Sequence, residues 1–446
     1  MPNNFTSWLY RPYIDLSPAI NNAPLHVFGI DIDYLNLTKQ LNLPRIQSVL
    51  MASYRESVVN QSGLYQYHLQ NPLLLSNHLR TDRWQILCDF IENFNKLDHV
   101  KQLNTLRLLN KLCLYQFTLE LGSGNYDNNS ETLAEINYQK VLAKHSLFLD
   151  HQNIEYHIND FKKIADEAPK LSLPRINALY QLVIHYIKHD YNVEKAEYWA
   201  NLHKQEVINI QNHTDEFTFF KLMSRQHRVY GFIPQMKNDK NGVIHEMTLA
   251  QYYAEKLFDV AKKQYEYQEL YLIGAQEMLH PVLESRIKEA LWLKDYSAGE
   301  ARAKQLVEMC PNDPRARLHL GEILLEQDKI EEATIHYKAS CMLGPPGTEV
   351  AWYMLGQCYE SRDNIEQAAY SYMMASHYDR FNISSHEAIK RLISKAPLPS
   401  MHGFDLFDAW TKSLSKDFDE VTDKHNPDQN VQQYQHKQFD VALKAS

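Results

Sequence analysis

Apolar residues recur at intervals of three and four over long runs of this chain, and short polar stretches interrupt them. That is the imprint of amphipathic helices that each bury one face. The pattern predicts helices over 82–97, 99–121, 131–149 and 153–167, a pair over 174–191 and 192–210, and further helix over 214–230. Between these runs, 122-GSGNYDNNSE-131 and 234-PQMKNDKNGV-243 cluster Gly, Asn, Asp and Ser, so both read as loops and as domain boundaries. From 247 to 279 the sequence reads as one more helical hairpin. Near the start, Pro2, Pro12, Pro18 and Pro24 stand among aromatic residues, which predicts an irregular arm, with Leu25 to Ile30 suited to a short strand. Residues 33–43 and 44–58 then form two short helices with Pro44 opening the second, and 64–80 is broken at Asn71-Pro72.

The most regular stretch runs from His280 to Asn382. In 349–382, Trp352, Leu355, Gly356, Tyr359, Ala368, Tyr372 and Ala375 stand at fixed offsets, and the preceding copy places Leu320, Gly321, Leu324, Ala333, Tyr337, Ser340 and Pro345 equivalently. A third, degenerate copy ends at Pro311, keeps Asp295-Tyr296 at its turn, and has Gly299 and Ala303 where a small residue and an aromatic belong. The pattern resembles a tetratricopeptide repeat. That motif places a large apolar residue, Leu-Gly and Tyr on a first helix, with Ala, an aromatic and Ala on a second before a closing Pro. Arg317 departs from it at the large apolar position, and Arg380 replaces the closing Pro. Gly321 and Gly356 are 35 residues apart, against a family period of about 34, and the Pro345-Pro346-Gly347 turn accommodates the extra residue. Small residues let paired helices approach closely while Trp352, Leu355, Tyr359 and Tyr372 fill the shared core, so neighbouring pairs must stack to bury it. The 174–210 pair is a degenerate hairpin of the same kind, with Asp190-Tyr191 at its turn and Ala196 and Ala200 on its second helix.

The expected fold class is all-α, a helical-hairpin (TPR-like) solenoid with an N-terminal helical domain. Its expected parts are an N-terminal helical domain with the irregular arm over 1–130, degenerate hairpins over 131–246, the TPR-like repeats with a capping helix (384–396) over 247–396, and a tail over 397–446. In that tail, 404-FDLFDAWTKSLSKDF-418 is a short amphipathic helix, and the end is expected to be mobile.

Composition agrees with this picture. Only 13 of 446 residues are Gly, well below the usual share of about 7%. Net charge is −9, and 280–382 holds 16 acidic against 11 basic residues, so no basic stripe for a nucleic-acid backbone runs along the repeats. Cys88, Cys113, Cys310, Cys341 and Cys358 are scattered without a CxxC pair and read as reduced, buried thiols of a cytoplasmic protein. The start lacks a basic region followed by an apolar run, and no apolar run approaches the roughly 18 residues of a membrane span, so neither a secretion signal nor a span is expected.

Candidate chemistry is sparse. His185 and His189 are one helical turn apart, with Asp190 beside them, and His203 or Glu206 would be the third ligand of a metal site. No Glu follows His185 as in HExxH. A solvated His pair near a helix end, favoured by the dipole, accounts for the spacing more simply than a metal site does. His151 and Glu155 are four apart but lack the paired Glu-x-x-His of di-iron bundles. GxSxG, GxGxxG and GxxxxGK[ST] are absent, so the sequence calls for no metal, no cofactor and no catalytic residue. Three functional readings follow. The resemblance implies a non-enzymatic adaptor or scaffold holding a protein or peptide segment in a concave groove lined by first helices. The alternatives are an enzyme, or obligate enzyme subunit, with a site near His185 and His189, and a DNA-binding regulator using the helices of 33–58. In the resemblance, the groove positions are Glu284, Lys288 and Trp292, then Leu318, Glu322 and Leu325, then Tyr353, Gln357 and Glu360. The family's clamp for an acidic peptide terminus uses Lys and Asn. Here Glu284, Leu318 and Tyr353 take the Lys place and Lys288, Glu322 and Gln357 the Asn place, so that clamp is missing. A mixed, slightly acidic groove suits a partner with basic and apolar residues.

Overall fold

The computed structural model describes residues 25–27, 30–32, 82–111, 115–122, 124, 126–147, 154–264, 268–309, 313–343, 347–378 and 383–395. The helices of 33–58, the 64–80 stretch, the tail helix of 404–418, and Cys113, His151 and Cys310 lie outside them. The fold is all-α apart from one short hairpin, β1 (Leu25–Val27) against β2 (Ile30–Ile32), antiparallel with His26 opposite Asp31. No helix among the described residues is long and apolar enough to cross a membrane.

Two compact units are present, Met1–Glu289 with Cys310–Asn312, and Ala290–Met309 with Asp313–Ser446. In the first, α1 (Asp82–Glu92), α2 (His99–Lys111) and α3 (Tyr115–Leu121) precede a run of hairpins. The hairpin helices are α4 (Glu131–Leu147), α5 (Ile154–Glu167), α6 (Leu173–Lys188), α7 (Val193–Asn209) and α8 (Glu216–Tyr230). After them come the short α9 (Phe232–Met236), α10 (Lys240–Ala261) and α11 (Gln268–Leu293). Consecutive helices pack from α4 to α8, and α4 also meets α6, and α6 meets α8, so alternate helices share a face. One core joins Phe161 and Ile164 of α5 to Ala178, Leu179 and Leu182 of α6. The next joins Val183 and Ile187 of α6 to Ala196 and Ala200 of α7 and Val229 of α8.

The stretch 234–243 is not the loop its polarity predicts. Asp239 caps α10 by accepting from the Gly242 amide, so all but three of these residues are helical, and their polarity serves a helix start. The 247–279 run is likewise not a hairpin of its own. It spans α10, which pairs back onto α8, and the beginning of α11. Asn192, Asp215 and Asp313 cap α7, α8 and α13 in the same way as Asp239 caps α10.

The second unit contains α12 (Tyr296–Met309), α13 (Pro314–Leu325), α14 (Ile330–Leu343), α15 (Thr348–Glu360), α16 (Ile365–Tyr378) and α17 (Ile383–Lys395), each packed on the next. Its turns repeat a backbone device. Lys294, Asp328 and Asp363 are left-handed two residues before α12, α14 and α16 begin, as is Tyr191 before α7 in the first unit. The motif's Gly and aromatic meet directly: a Cβ on Gly321 would stand 2.7 Å from the Tyr337 ring, and one on Gly356 2.6 Å from that of Tyr372. Both tyrosines are fully buried and have no room to retreat. Gly321→Ala should therefore destabilise the protein by about 1–3 kcal/mol through overpacking, although Ala is the better helix former by about 1 kcal/mol. Urea denaturation followed by circular dichroism measures it, and unchanged or raised stability would show that the close approach is not tight. Cys88, Cys341 and Cys358 are buried free thiols, and burial pushes that of Cys341 up to about 12.

Candidate functional site

The nine positions expected from the sequence to line a groove fall in both units. In the first unit Lys288 is exposed, while Glu284 is mostly buried with its carboxylate 3.8 Å from His280. In the second, Leu318 is buried, and Trp292, Glu322, Leu325, Tyr353, Gln357 and Glu360 are half-buried. Several of them already have partners. Glu322 lies 2.8 Å from His319, and the Gln357 amide donates to the Tyr353 hydroxyl. Glu360 takes both forks of Arg391 from α17 and also accepts from the Tyr372 hydroxyl. Leu325, Tyr353 and Gln357 thus present a mixed, uncharged surface on α13 and α15.

The histidines named as metal candidates separate into two places. His185 and His189 stack at 5.6 Å on α6. His203 on α7 is buried between Tyr180 and Tyr230 instead, with its Nδ1 3.2 Å from the Tyr230 hydroxyl, which donates to the Ala200 carbonyl. Burial, aided by Arg225, pushes His203 down to about 3, so the ring is neutral near neutral pH. Glu206 pairs at 2.9 Å with Arg175, and also accepts from the Leu171 amide, where the chain enters α6. Among the described residues no group of three or more His, Cys, Asp or Glu could hold a metal ion.

What the sequence reading did not find lies on the shared face of α4, α6, α8 and α11 in the first unit. Tyr180 of α6 is buried there. The Arg225 guanidinium lies 4.3 Å from the centre of its ring, and Arg228 donates to its hydroxyl at 3.3 Å. Burial alone would raise the Tyr180 phenol, but the two arginines outweigh it and hold its pKa below the ordinary value. Arg225 also donates to Asn177 at 3.0 Å. One step along the face, Gln181 donates to the Tyr138 hydroxyl of α4, whose pKa burial pushes up to about 12. At the C-terminal end of α6, Lys188 keeps solvent access although protein crowds it on most sides. Burial first, then Arg228 and Lys288, push its ammonium down to about 8, with Glu284 opposing them. Lys188, Arg225, Arg228 and Lys288 are far apart in sequence, and no short motif marks them.

No family model matches the chain, and no curated protein matches it. Solved structures do. The STAND signal transduction ATPase with a tetratricopeptide repeat sensor from Pyrococcus horikoshii aligns over 95% of this chain at 12% identity and a TM-score of 0.50, with 65% of that protein covered. At that score the likeness extends to the fold. YrrB, a TPR protein with an unusual peptide-binding site, aligns over 52% of this chain and 97% of its own at 17% identity and a TM-score of 0.29. A tetratricopeptide repeat protein from Parabacteroides merdae aligns over 69% of this chain and 98% of its own at 13% identity and a TM-score of 0.36.

Proposed function

We propose that this chain, an all-α array of tetratricopeptide-type hairpins, is a non-enzymatic adaptor that holds a segment of a partner protein against the first helices of its repeats. One observation carries the reading. In the second unit the small residues and tyrosines of the motif are spent on helix packing, whereas Leu325, Tyr353 and Gln357 stay half-exposed on α13 and α15. A surface that is half apolar and half hydrogen-bonding, on rigid elements, suits an extended or helical segment with apolar and basic residues.

A full-length Leu325→Glu/Gln357→Glu variant tests the proposal. Both side chains are half-exposed and neither belongs to the core, so thermal unfolding should stay close to that of the parent. Proteins captured from a lysate by the parent should be retained at least about tenfold more weakly by the variant, as when a central apolar contact is replaced by a charge worth about 2 kcal/mol or more. Equal retention by both would remove this face as the binding surface.

A further inference from the structure

Overall the chain carries a net charge of −9. Against that background, four cations on one face of the first unit stand out. Among the described residues, Lys188, Arg225, Arg228 and Lys288 form no ion pair with any carboxylate, although ion pairs are frequent elsewhere in the structure. Two are preorganised: Arg225 by Tyr180 and Asn177, and Arg228 by the Tyr180 hydroxyl. Each guanidinium makes few of its five possible hydrogen bonds within the protein, so donors remain for a ligand. The other two are exposed at the ends of flexible stems. Burial first, and then Arg228 and Lys288, disfavour the Lys188 ammonium, with Glu284 of α11 opposing them, so the cations of α6, α8 and α11 gather on one face around a single carboxylate.

We infer that Lys188, Arg225, Arg228 and Lys288 form a binding site for a phosphate monoester carried on a segment of a partner protein. The inference rests on the adaptor reading for the ligand's being a protein segment, and on the cations for its chemistry. A carboxylate brings one charge and two oxygens. A phosphate monoester brings about −1.5 to −2 and three acceptor oxygens, which match several converging cations and the flat forks of two arginines better. Its charge would also hold the proton on Lys188 more firmly, since a nearby dianion favours the ammonium form. A nucleic-acid backbone needs an extended basic track. This cluster is confined to one place on an acidic protein.

The test is fluorescence anisotropy of the full chain with a labelled alanine peptide carrying one phosphoserine, beside peptides with serine or glutamate there. The phosphoserine peptide should bind about 10- to 100-fold more tightly than either, the range of one or two charge-assisted hydrogen bonds. A Lys188→Gln/Lys288→Gln variant, changed only at exposed positions, should lose about tenfold with thermal unfolding unchanged. Arg228→Lys, which keeps the charge but not the fork, should also lose affinity. Equal binding of phosphoserine and serine peptides, or of phosphoserine and glutamate, overturns the proposal. So does unchanged binding by the lysine variant. Displacement by inorganic phosphate at the peptide's own concentration would assign the site to a free phosphate ester, and tighter binding of a single-stranded DNA oligomer would assign it to nucleic acid. Either overturns the segment-borne ligand. Failure here with partner capture still sensitive to Leu325 and Gln357 leaves the adaptor reading intact, while loss of both removes both.

Discussion

Tyr372→Ala is expected to destabilise the α15–α16 hairpin by about 3–5 kcal/mol, the range for truncating a large buried aromatic to alanine. The ring is fully buried. It lies directly on Gly356, whose missing side chain is the reason the two helices approach so closely, and its centroid is 5.5 Å from that of Tyr353. Glycine has no side chain to move into the space left behind, so the cavity persists and the full cost is felt. Tyr372→Phe should cost only about 1 kcal/mol. It removes the hydroxyl that donates to Glu360, while Glu360 keeps both forks of Arg391. Because repeat arrays can unfold in parts, amide hydrogen exchange along α15 and α16 should accompany urea denaturation. Protection should fall there first for the alanine variant and stay near the parent's for phenylalanine. A small effect for both would mean that the Gly–Tyr contact does not hold the repeat together.

The same contact explains why this part of the molecule could be read from sequence. Gly321 with Tyr337 and Gly356 with Tyr372 are local pairs at a fixed offset, and the packing that links them is a property of each hairpin alone. The left-handed turns at Lys294, Asp328 and Asp363 recur at the period of about 34 residues for the same reason. Legibility failed where polar residues serve two purposes. Around Asp239, a helix cap and its first turn have the composition of a loop, so the pairing of α8 with α10 was hidden. It failed again at the cationic face. Lys188, Arg225, Arg228 and Lys288 come from three helices, and a charge count confined to 280–382 included only the last. Chemistry assembled across helices has no signature in spacing, whereas packing within a hairpin does.

Arg107→Leu should destabilise the first unit, and by an amount that grows as the pH rises. Glu135 of α4 is buried, and its carboxylate is held by Arg107 of α2 at 3.1 Å and by the Gln139 amide at 2.9 Å, with Asn110 in turn fixing Gln139. Burial raises the Glu135 pKa above its ordinary value, and Arg107 is the largest influence pulling it back. A carboxyl whose pKa is higher folded than unfolded binds more protons in the native state between the two values. Stability is then greatest below the unfolded carboxyl's pKa and falls as the pH rises through the folded one. Removing the arginine leaves an ion in a dry site, which widens that window and deepens the fall. Leucine retains part of the apolar stem, so the loss reflects charge more than packing. Breaking a fully buried pair costs about 3–5 kcal/mol, and since Arg107 keeps some solvent access the expected loss is nearer 2–3 kcal/mol at mildly alkaline pH. At acidic pH Glu135 is protonated and the loss should shrink. Urea denaturation of the variant at both pH values checks the slope, and Arg107→Leu/Glu135→Gln isolates its cause. The double variant has no ion to strand, so it should regain most of the stability lost at alkaline pH and lose the added pH dependence. If it remains as unstable and as pH-sensitive as Arg107→Leu alone, the pH effect arises elsewhere and Arg107 matters through packing.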